Sequence, residues 1–185
     1  MMNRDDLNIV QLKGDWQNHG PFKEDPKFII LHAMGRIING KKAPYGIHPI
    51  ASCHFYIDLE GTIFQCVDEK LIAWHAGKSL WKGLNDLNRH SIGIEFLVER
   101  AGSLPVLKKK INDVHNPPFT NEQYGAGSDL VAYLCAEYTI DLEDILGHDQ
   151  VSTIDVRPDP KFDPGEAFDM FRFKSLVKSK HKFAA

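Results

Sequence analysis

Apolar residues in this chain fall into short, dense runs separated by polar segments, a pattern that predicts strands joined by loops with a few helices added. Lys27–His32 (KFIILH) is rich in β-branched residues and reads as a buried strand that ends on a histidine. Cys53–Asp58 and Thr62–Val67 are two further strand-like runs, and the Leu59-Glu60-Gly61 link between them has the glycine of a hairpin. Ser91–Val98 (SIGIEFLV) is apolar at nearly every position, so a strand here is predicted to be covered on both faces. The stretch from Gly35 to Pro49, dense in Gly, Lys and Pro, reads as a polar loop.

Helical spacing enters later. Thr120-Asn-Glu-Gln123, directly after two prolines and a phenylalanine, has the form of a capping box. Behind it Ala126, Leu130, Val131, Leu134, Cys135 and Tyr138 recur on one face of a long amphipathic helix. Asp163-Pro164-Gly165 breaks the chain, and Ala167, Phe168, Phe171 and Leu176 predict a terminal helix. Strands early and mid-chain with helices laid against them give an α/β fold: a single domain over residues 1–185, with a mixed central β-sheet of about five or six strands flanked by α-helices.

Composition removes several classes of function. With 43% hydrophobic and 25% charged residues the chain is neither disordered nor fibrous. Twenty-two Lys and Arg against 25 Asp and Glu leave a net charge of −3, so no overall basic field points to nucleic acid. The N-terminal MMNRDDLNIVQLKGDWQNHG lacks the apolar core of a secretory signal, which favours a cytoplasmic protein, with an exported protein that has lost its leader as the alternative. Cys53, Cys66 and Cys135 are odd in number and widely spaced, and they read as buried thiols rather than as a disulfide framework or as nucleophiles.

Histidine, with nine copies, is where the candidate chemistry lies. His32 at a strand end and His148 after Gly147 are 116 positions apart, so no local metal motif joins them. A lone histidine at a strand end is more often a hydrogen-bonded structural residue than a ligand. Glu95 inside an apolar strand must be paired or functional, because an unpaired buried carboxylate is costly. Two imidazoles and a carboxylate form the open three-ligand inventory of a hydrolytic zinc site. His54 packs or lines a cleft, and His75, between Trp74 and Gly77, is a cleft residue for which Trp74 and Trp81 supply apolar faces.

Several ordered motifs carry a resemblance: FIILHAMG at 28–35, SCHFYIDLEGTIFQCV at 52–67, AWHAG at 73–77, LNRHSIGIEF at 87–96, FTNEQ at 119–123, GH at 147–148 and KFDPG at 161–165. From about residue 27 to 171 the chain resembles the type 2 N-acetylmuramoyl-L-alanine amidases, a family that also takes in phage lysozyme-amidases and peptidoglycan recognition proteins. The resemblance implies one zinc ion held by His32, His148 and Asp163, with Glu95 as general base and Lys161 facing the zinc-bound water or oxyanion. Trp74, His75 and Asn88 are then candidates for contact with substrate. The implied partner is peptidoglycan or its muropeptides, without nucleic acid or membrane. The implied reaction is hydrolysis of the bond between N-acetylmuramic acid and L-alanine, in wall degradation or in recycling. The alternative is a peptidoglycan-binding module without catalysis. One departure stands out: phage-type relatives have a tyrosine just before the histidine of the second strand, where this chain has Cys53.

Overall fold

The computed structural model describes residues 3–12, 18–35, 37–38, 41–42 and 52–182. Six strands form the central sheet: β1 (Ile9–Gln11), β2 (Phe28–Gly35), β3 (Phe55–Ile57), β4 (Ile63–Gln65), β5 (Ser91–Val98) and β6 (Ile145–Gly147). Their order across the sheet is β1-β4-β3-β5-β2-β6. Only the β3–β4 hairpin is antiparallel within it, and every other pairing is parallel. The sheet is therefore mixed, as the alternation of runs and breaks predicts. Gly61 (φ +79°) makes the hairpin turn, which Asp58 closes by accepting from the Thr62 backbone N–H at 2.8 Å.

The period of two along each strand sorts side chains onto two faces. From β2 and β5, Ile29, Leu31, Ile92, Ile94 and Phe96 all point to one face and are fully buried there. This face is covered by α1 (Leu104–Ile111), α2 (Asn121–Tyr138) and α4 (Met170–Lys182), which contribute Ile111, Leu130, Leu134, Phe173 and Val177 to one continuous core. Phe96 sits at the centre of an aromatic cluster with Phe168, Phe173 and Phe119, ring centroids 5.0–6.3 Å away. On the opposite face, Phe28 and Ile30 pack with Leu146, Leu87 and Val151 of the four-residue α3 (His148–Val151). The covering is thinner on this side, and here the polar members of β2 and β5 emerge.

α2 begins as the capping box predicts. Thr120 Oγ1 accepts from the Gln123 N–H at 3.1 Å, and Gln123 Oε1 accepts from the Thr120 N–H at 3.0 Å. Gln123 is wholly buried, and its Nε2 also donates to the carbonyls of Ile57 (3.1 Å) and Leu97 (2.9 Å), which ties the helix start to the ends of β3 and β5.

Several expectations shift. α4 starts at Met170, because Asp169 Oδ1 accepts from the Arg172 N–H at 2.8 Å in the manner of an N-cap. Ala167 and Phe168 thus lie before the helix, Phe173 and Val177 form its buried face, and Phe171 is 84% exposed rather than part of the core. α1, β1 and β6 carry no pattern strong enough to have been predicted. The predicted polar loop from Gly35 to Pro49 falls largely outside the described residues; of those described, Gly35 ends β2, and Ile37–Ile38 pair with Lys41–Lys42 in a short ribbon.

Gln123→Leu keeps the bulk and strands two carbonyls, each worth about 1–3 kcal/mol when buried unpaired. Urea unfolding is expected to show a loss of about 2–4 kcal/mol with an unchanged m-value, and a loss below 1 kcal/mol would contradict this role for the amide.

Candidate metal centre

The parallel pairing of β2 with β5 sets His32 directly beside Glu95. β6 pairs with the other edge of β2 and matches Gly147 with Leu31, so His148, one residue further, emerges next to His32 on the same face. Asp163 arrives from the loop after α3, whose carbonyl accepts from the Asp149 N–H at 2.9 Å. Three ligand-type atoms then converge. His32 Nδ1 and His148 Nδ1 are 3.0 Å apart, and each lies 3.1 Å from Asp163 Oδ2. All three residues are buried. Two atoms each about 2.0 Å from one tetrahedral ion sit roughly 3.3 Å apart, so this triangle has the size of a metal site.

The hydrogen bonds behind the triangle show that its atoms face inward as lone pairs. His148 Nε2 lies 3.1 Å from the Ala76 carbonyl, which can only accept, so the ring proton is on Nε2 and Nδ1 is bare. For His32 the chain is longer. Ser91 Oγ donates to the Leu87 carbonyl at 2.5 Å, so toward His75 Nε2, 3.3 Å away, that oxygen accepts. A neutral His75 protonated on Nε2 accepts at Nδ1, and the 3.0 Å contact there has His32 Nε2 donating. His32 Nδ1 is left bare as well. Burial and the neighbouring His148 lower His32 to about 4, and burial with three surrounding imidazoles holds His75 well below its ordinary value, so both rings are neutral near pH 7. Two lone pairs and one carboxylate oxygen meeting at a point, with no proton between them, fit a divalent cation.

Glu95 and Lys161 face the same cleft, a space of about 710 Å³ that also exposes His32, His75, His148 and Asp163. Among the described residues Glu95 Oε2 is buried and has no hydrogen-bond partner. Burial and the charge of Asp163 push its carboxyl well above the usual carboxylate range, and Lys161 pulls it part of the way back. The apolar wall among the described residues comes from Leu104, Pro105, Leu107 and Phe162, with Lys108 lying 5.3 Å from the centre of the Phe162 ring. Phe162 lies in the KFDPG motif, but Leu104, Pro105 and Leu107 do not stand out in the sequence, because α1 itself was not legible there.

The remaining sequence candidates separate. His75 is at the cleft, behind His32. Trp74 is not among the residues lining it: its ring stacks on His19 at 3.8 Å and borders a different depression with Lys78 and Asp86. Trp81 packs against the second core cluster. The amide oxygen of Asn88 is taken up by two backbone N–H groups. His54 is fully buried, its Nδ1 accepting from the Gly93 N–H (2.9 Å) and its Nε2 donating to the Leu71 carbonyl (2.8 Å). Cys53 is buried and its thiol raised well above its ordinary value by burial, so no acid or base stands where the phage-type relatives have tyrosine. Gly93 was not predicted to matter, yet a Cβ there would lie 2.4 Å from the His75 ring.

The fold and the cluster together define a mixed sheet that carries on one face a buried His-His-Asp group able to hold a metal ion. The chain belongs to the N-acetylmuramoyl-L-alanine amidase family, which it matches over residues 22–166. It is similar to the 1,6-anhydro-N-acetylmuramyl-L-alanine amidase AmpD of Salmonella typhimurium (strain LT2), 35% identical over 136 residues that cover 73% of this chain and 62% of that protein. The N-acetylmuramoyl-L-alanine amidase AmiD of Escherichia coli K12 is 37% identical over 106 residues, covering 57% and 34%. The match thus spans about three-fifths of the length of the curated AmpD relatives. A crystal structure of an AmpD derivative superposes with a TM-score of 0.65 at 23% identity, covering 92% of this chain and 94% of that one. E. coli AmiD bound to anhydro-N-acetylmuramic acid-L-Ala-D-gamma-Glu-L-Lys superposes with a TM-score of 0.64 at 24% identity, covering 89% and 62%. Both likenesses bear out the predicted fold class. Among the described residues no helix is long and apolar enough to cross a membrane.

His54 makes acid the weak side of this fold. Burial lowers it from 6.5 to about 4, so the unfolded chain takes up a proton first as pH falls. Its contribution is complete above pH 6.5 and is lost as pH falls toward 4, amounting to roughly 3 kcal/mol at about 1.4 kcal/mol per unit. Melting temperature is expected to drop over that window in the wild type and to drop less in His54→Gln; equal slopes would remove His54 as a cause.

Proposed function

We propose that this chain is a zinc-dependent N-acetylmuramoyl-L-alanine amidase, hydrolysing the amide between N-acetylmuramic acid and L-alanine in soluble anhydro-muropeptides. The observation that carries the reading is the meeting of His32 Nδ1, His148 Nδ1 and Asp163 Oδ2 in one cleft with the unpartnered Glu95 Oε2. Family membership and the AmpD relatives support the choice of bond and of anhydro-sugar substrate.

His32, His148 and Asp163 would hold the ion, and two imidazoles with one carboxylate suit zinc. When bound, zinc supplies Lewis acidity that polarises a carbonyl and lets water ionise near neutral pH. Glu95 Oε2, buried and without a partner, takes the proton from the attacking water and returns it to the departing alanine nitrogen. Its raised pKa suits a group that must first accept and then release. Lys161 donates to the carbonyl oxygen as that atom becomes anionic, a contribution of order 10²–10³ in rate for a well-placed donor. Leu104, Pro105 and Phe162 offer the apolar wall against which a sugar or peptide excludes water.

The test is mass spectrometry of products after incubating the full chain with zinc and anhydro-N-acetylmuramyl-peptide, beside intact sacculi. Release of an alanine-terminated peptide from the soluble substrate is expected. Binding without release would instead identify a recognition module, and faster release from sacculi would move the substrate to the intact wall. Glu95→Gln is expected to keep stoichiometric zinc while kcat falls by about 10²–10⁴. His148→Ala is expected to lose both zinc and activity, and stoichiometric zinc in that variant would refute the ligand set.

A further inference from the structure

Both imidazole ligands depend on acceptors that lie outside the metal triangle. His32 is fixed by the His75 ring and His148 by the Ala76 carbonyl, and these two groups belong to consecutive residues. The segment that carries them is irregular. Upstream, Trp74 is tied on both sides to Ser52, through Ser52 Oγ at 2.9 Å and the Ser52 N–H at 3.1 Å. Downstream, Gly77 turns the chain in the left-handed region at φ +56°. Between them, the backbone N–H groups of His75 and Ala76 both point at one atom, Asn88 Oδ1, at 2.9 and 2.8 Å. Asn88 is buried, with 6% of its surface exposed. Its Nδ2 donates to Asp86 Oδ1 at 3.1 Å, which determines that the oxygen of the amide, not the nitrogen, faces the two N–H groups.

We propose that Asn88 is a positioning residue of the metal centre: one amide oxygen clamps two consecutive backbone N–H groups and thereby sets the acceptors that expose Nδ1 of both His32 and His148. The proposal rests on the metal reading above and goes beyond it by assigning the geometry of two ligands to a side chain that touches neither. An amide carbonyl has two lone pairs, and here both are used, so a side chain without an acceptor oxygen at this point cannot hold the two N–H groups. With the clamp open, the 75–76 segment can rotate, Ala76 O can leave His148 Nε2, and His75 can leave His32 Nε2. Each ring can then place its proton on Nδ1, the nitrogen that must be bare to ligate. The room for His75 is equally specific. A Cβ on Gly93 would press on its Cγ at 2.4 Å and its Nδ1 at 2.6 Å, so the ring is confined between the clamp and a bare stretch of β5. Outer partners of this kind typically contribute 10- to 100-fold in metal affinity.

The closing experiment has two arms, neither of which requires substrate. Long-range ¹⁵N–¹H spectra of the metal-free wild type at pH 7.5 read the ring tautomers. His32, His75 and His148 are each expected to carry the proton on Nε2, and a proton on Nδ1 of either ligand would overturn the proposal without any variant. In the second arm, zinc affinity is measured by chelator competition. Asn88→Ala with native far-UV dichroism is expected to bind zinc 10- to 100-fold more weakly and to show mixed tautomers at His32 and His148. The paired exchange Asp86→Asn/Asn88→Asp keeps an acceptor oxygen at 88 and swaps donor and acceptor between the two side chains; it is expected to recover most of the affinity. Wild-type affinity and tautomers in Asn88→Ala, or equal losses in both variants, would remove Asn88 from the centre. A wild type that takes up no zinc would remove the metal reading itself, a result separable from the others because it appears without any substitution. Should Asn88→Ala fail to fold, the wild-type spectra and the paired exchange still decide the matter.

Discussion

The parallel pairing of Phe28–Gly35 with Ser91–Val98 is the contact on which the rest of the molecule depends. Both strands lie in the middle of the sheet, and their apolar residues alternate onto the face that the three longer helices cover. Because that alternation is set by burial, the register is rigid: a slip of one residue would send Ile92, Ile94 and Phe96 to the thinly covered side and Glu95 into the core. The same register puts His32 against Glu95, and the next strand over brings His148 alongside. The geometry of the site here follows from hydrophobic burial on the opposite face of the sheet. The aromatic cluster around Phe96 lies across one layer of backbone from Glu95, on the opposite face of the sheet.

Burying four imidazoles close together is costly if any of them charges. The chain avoids this by giving each a proton acceptor at one nitrogen and either a donor or the metal triangle at the other. His54 stands between Leu71 O and the Gly93 N–H, His75 between Ser91 and His32, and His148 has Ala76 O on its outer side. Burial holds His32, His54 and His75 neutral, and a neutral ring with a bare nitrogen is what a divalent cation requires as a ligand. The arrangement differs from a structural network because it is deliberately incomplete: on the inner side two lone pairs and a carboxylate oxygen face one another with nothing to satisfy them.

Much of this was legible in the sequence, and the boundary has a physical cause. Strand ends, the hairpin glycine and the Thr120–Gln123 box are local, so short-range pattern reaches them. His32 and Glu95 could be singled out because each breaks the character of its own run. What pattern could not show is that residues 63 positions apart would become neighbours, since parallel register is set by crossovers and not by local composition. Without the motif resemblance, His32, His148 and Asp163 would have remained three unrelated polar residues. The terminal helix illustrates a different failure. Phe168, Phe171 and Phe173 offer competing helical faces, and the choice among them is made by Asp169, whose backbone N–H donates to Tyr124 Oη at 2.7 Å from another helix. The Asn88 clamp is invisible in sequence because an asparagine in a polar turn is ordinary until its two N–H partners are known.

The distribution of strain between the two faces explains why such a centre survives in so small a fold. A protonated or ionised Glu95 without a hydrogen bond, and three mutually repelling ligand atoms, each detract from stability by amounts comparable to a whole domain's margin. All of these defects lie on one face, over β2, β5 and α3, and the other face carries the continuous apolar core around Phe96. A cation entering the triangle would relieve the largest of these defects at once, because it supplies positive charge where only lone pairs meet. Metal binding and folding stability should therefore be coupled in this chain through the very residues that give it chemistry. The general form of the constraint is that an open metal site can be strained only as far as the opposite face of its sheet is well packed.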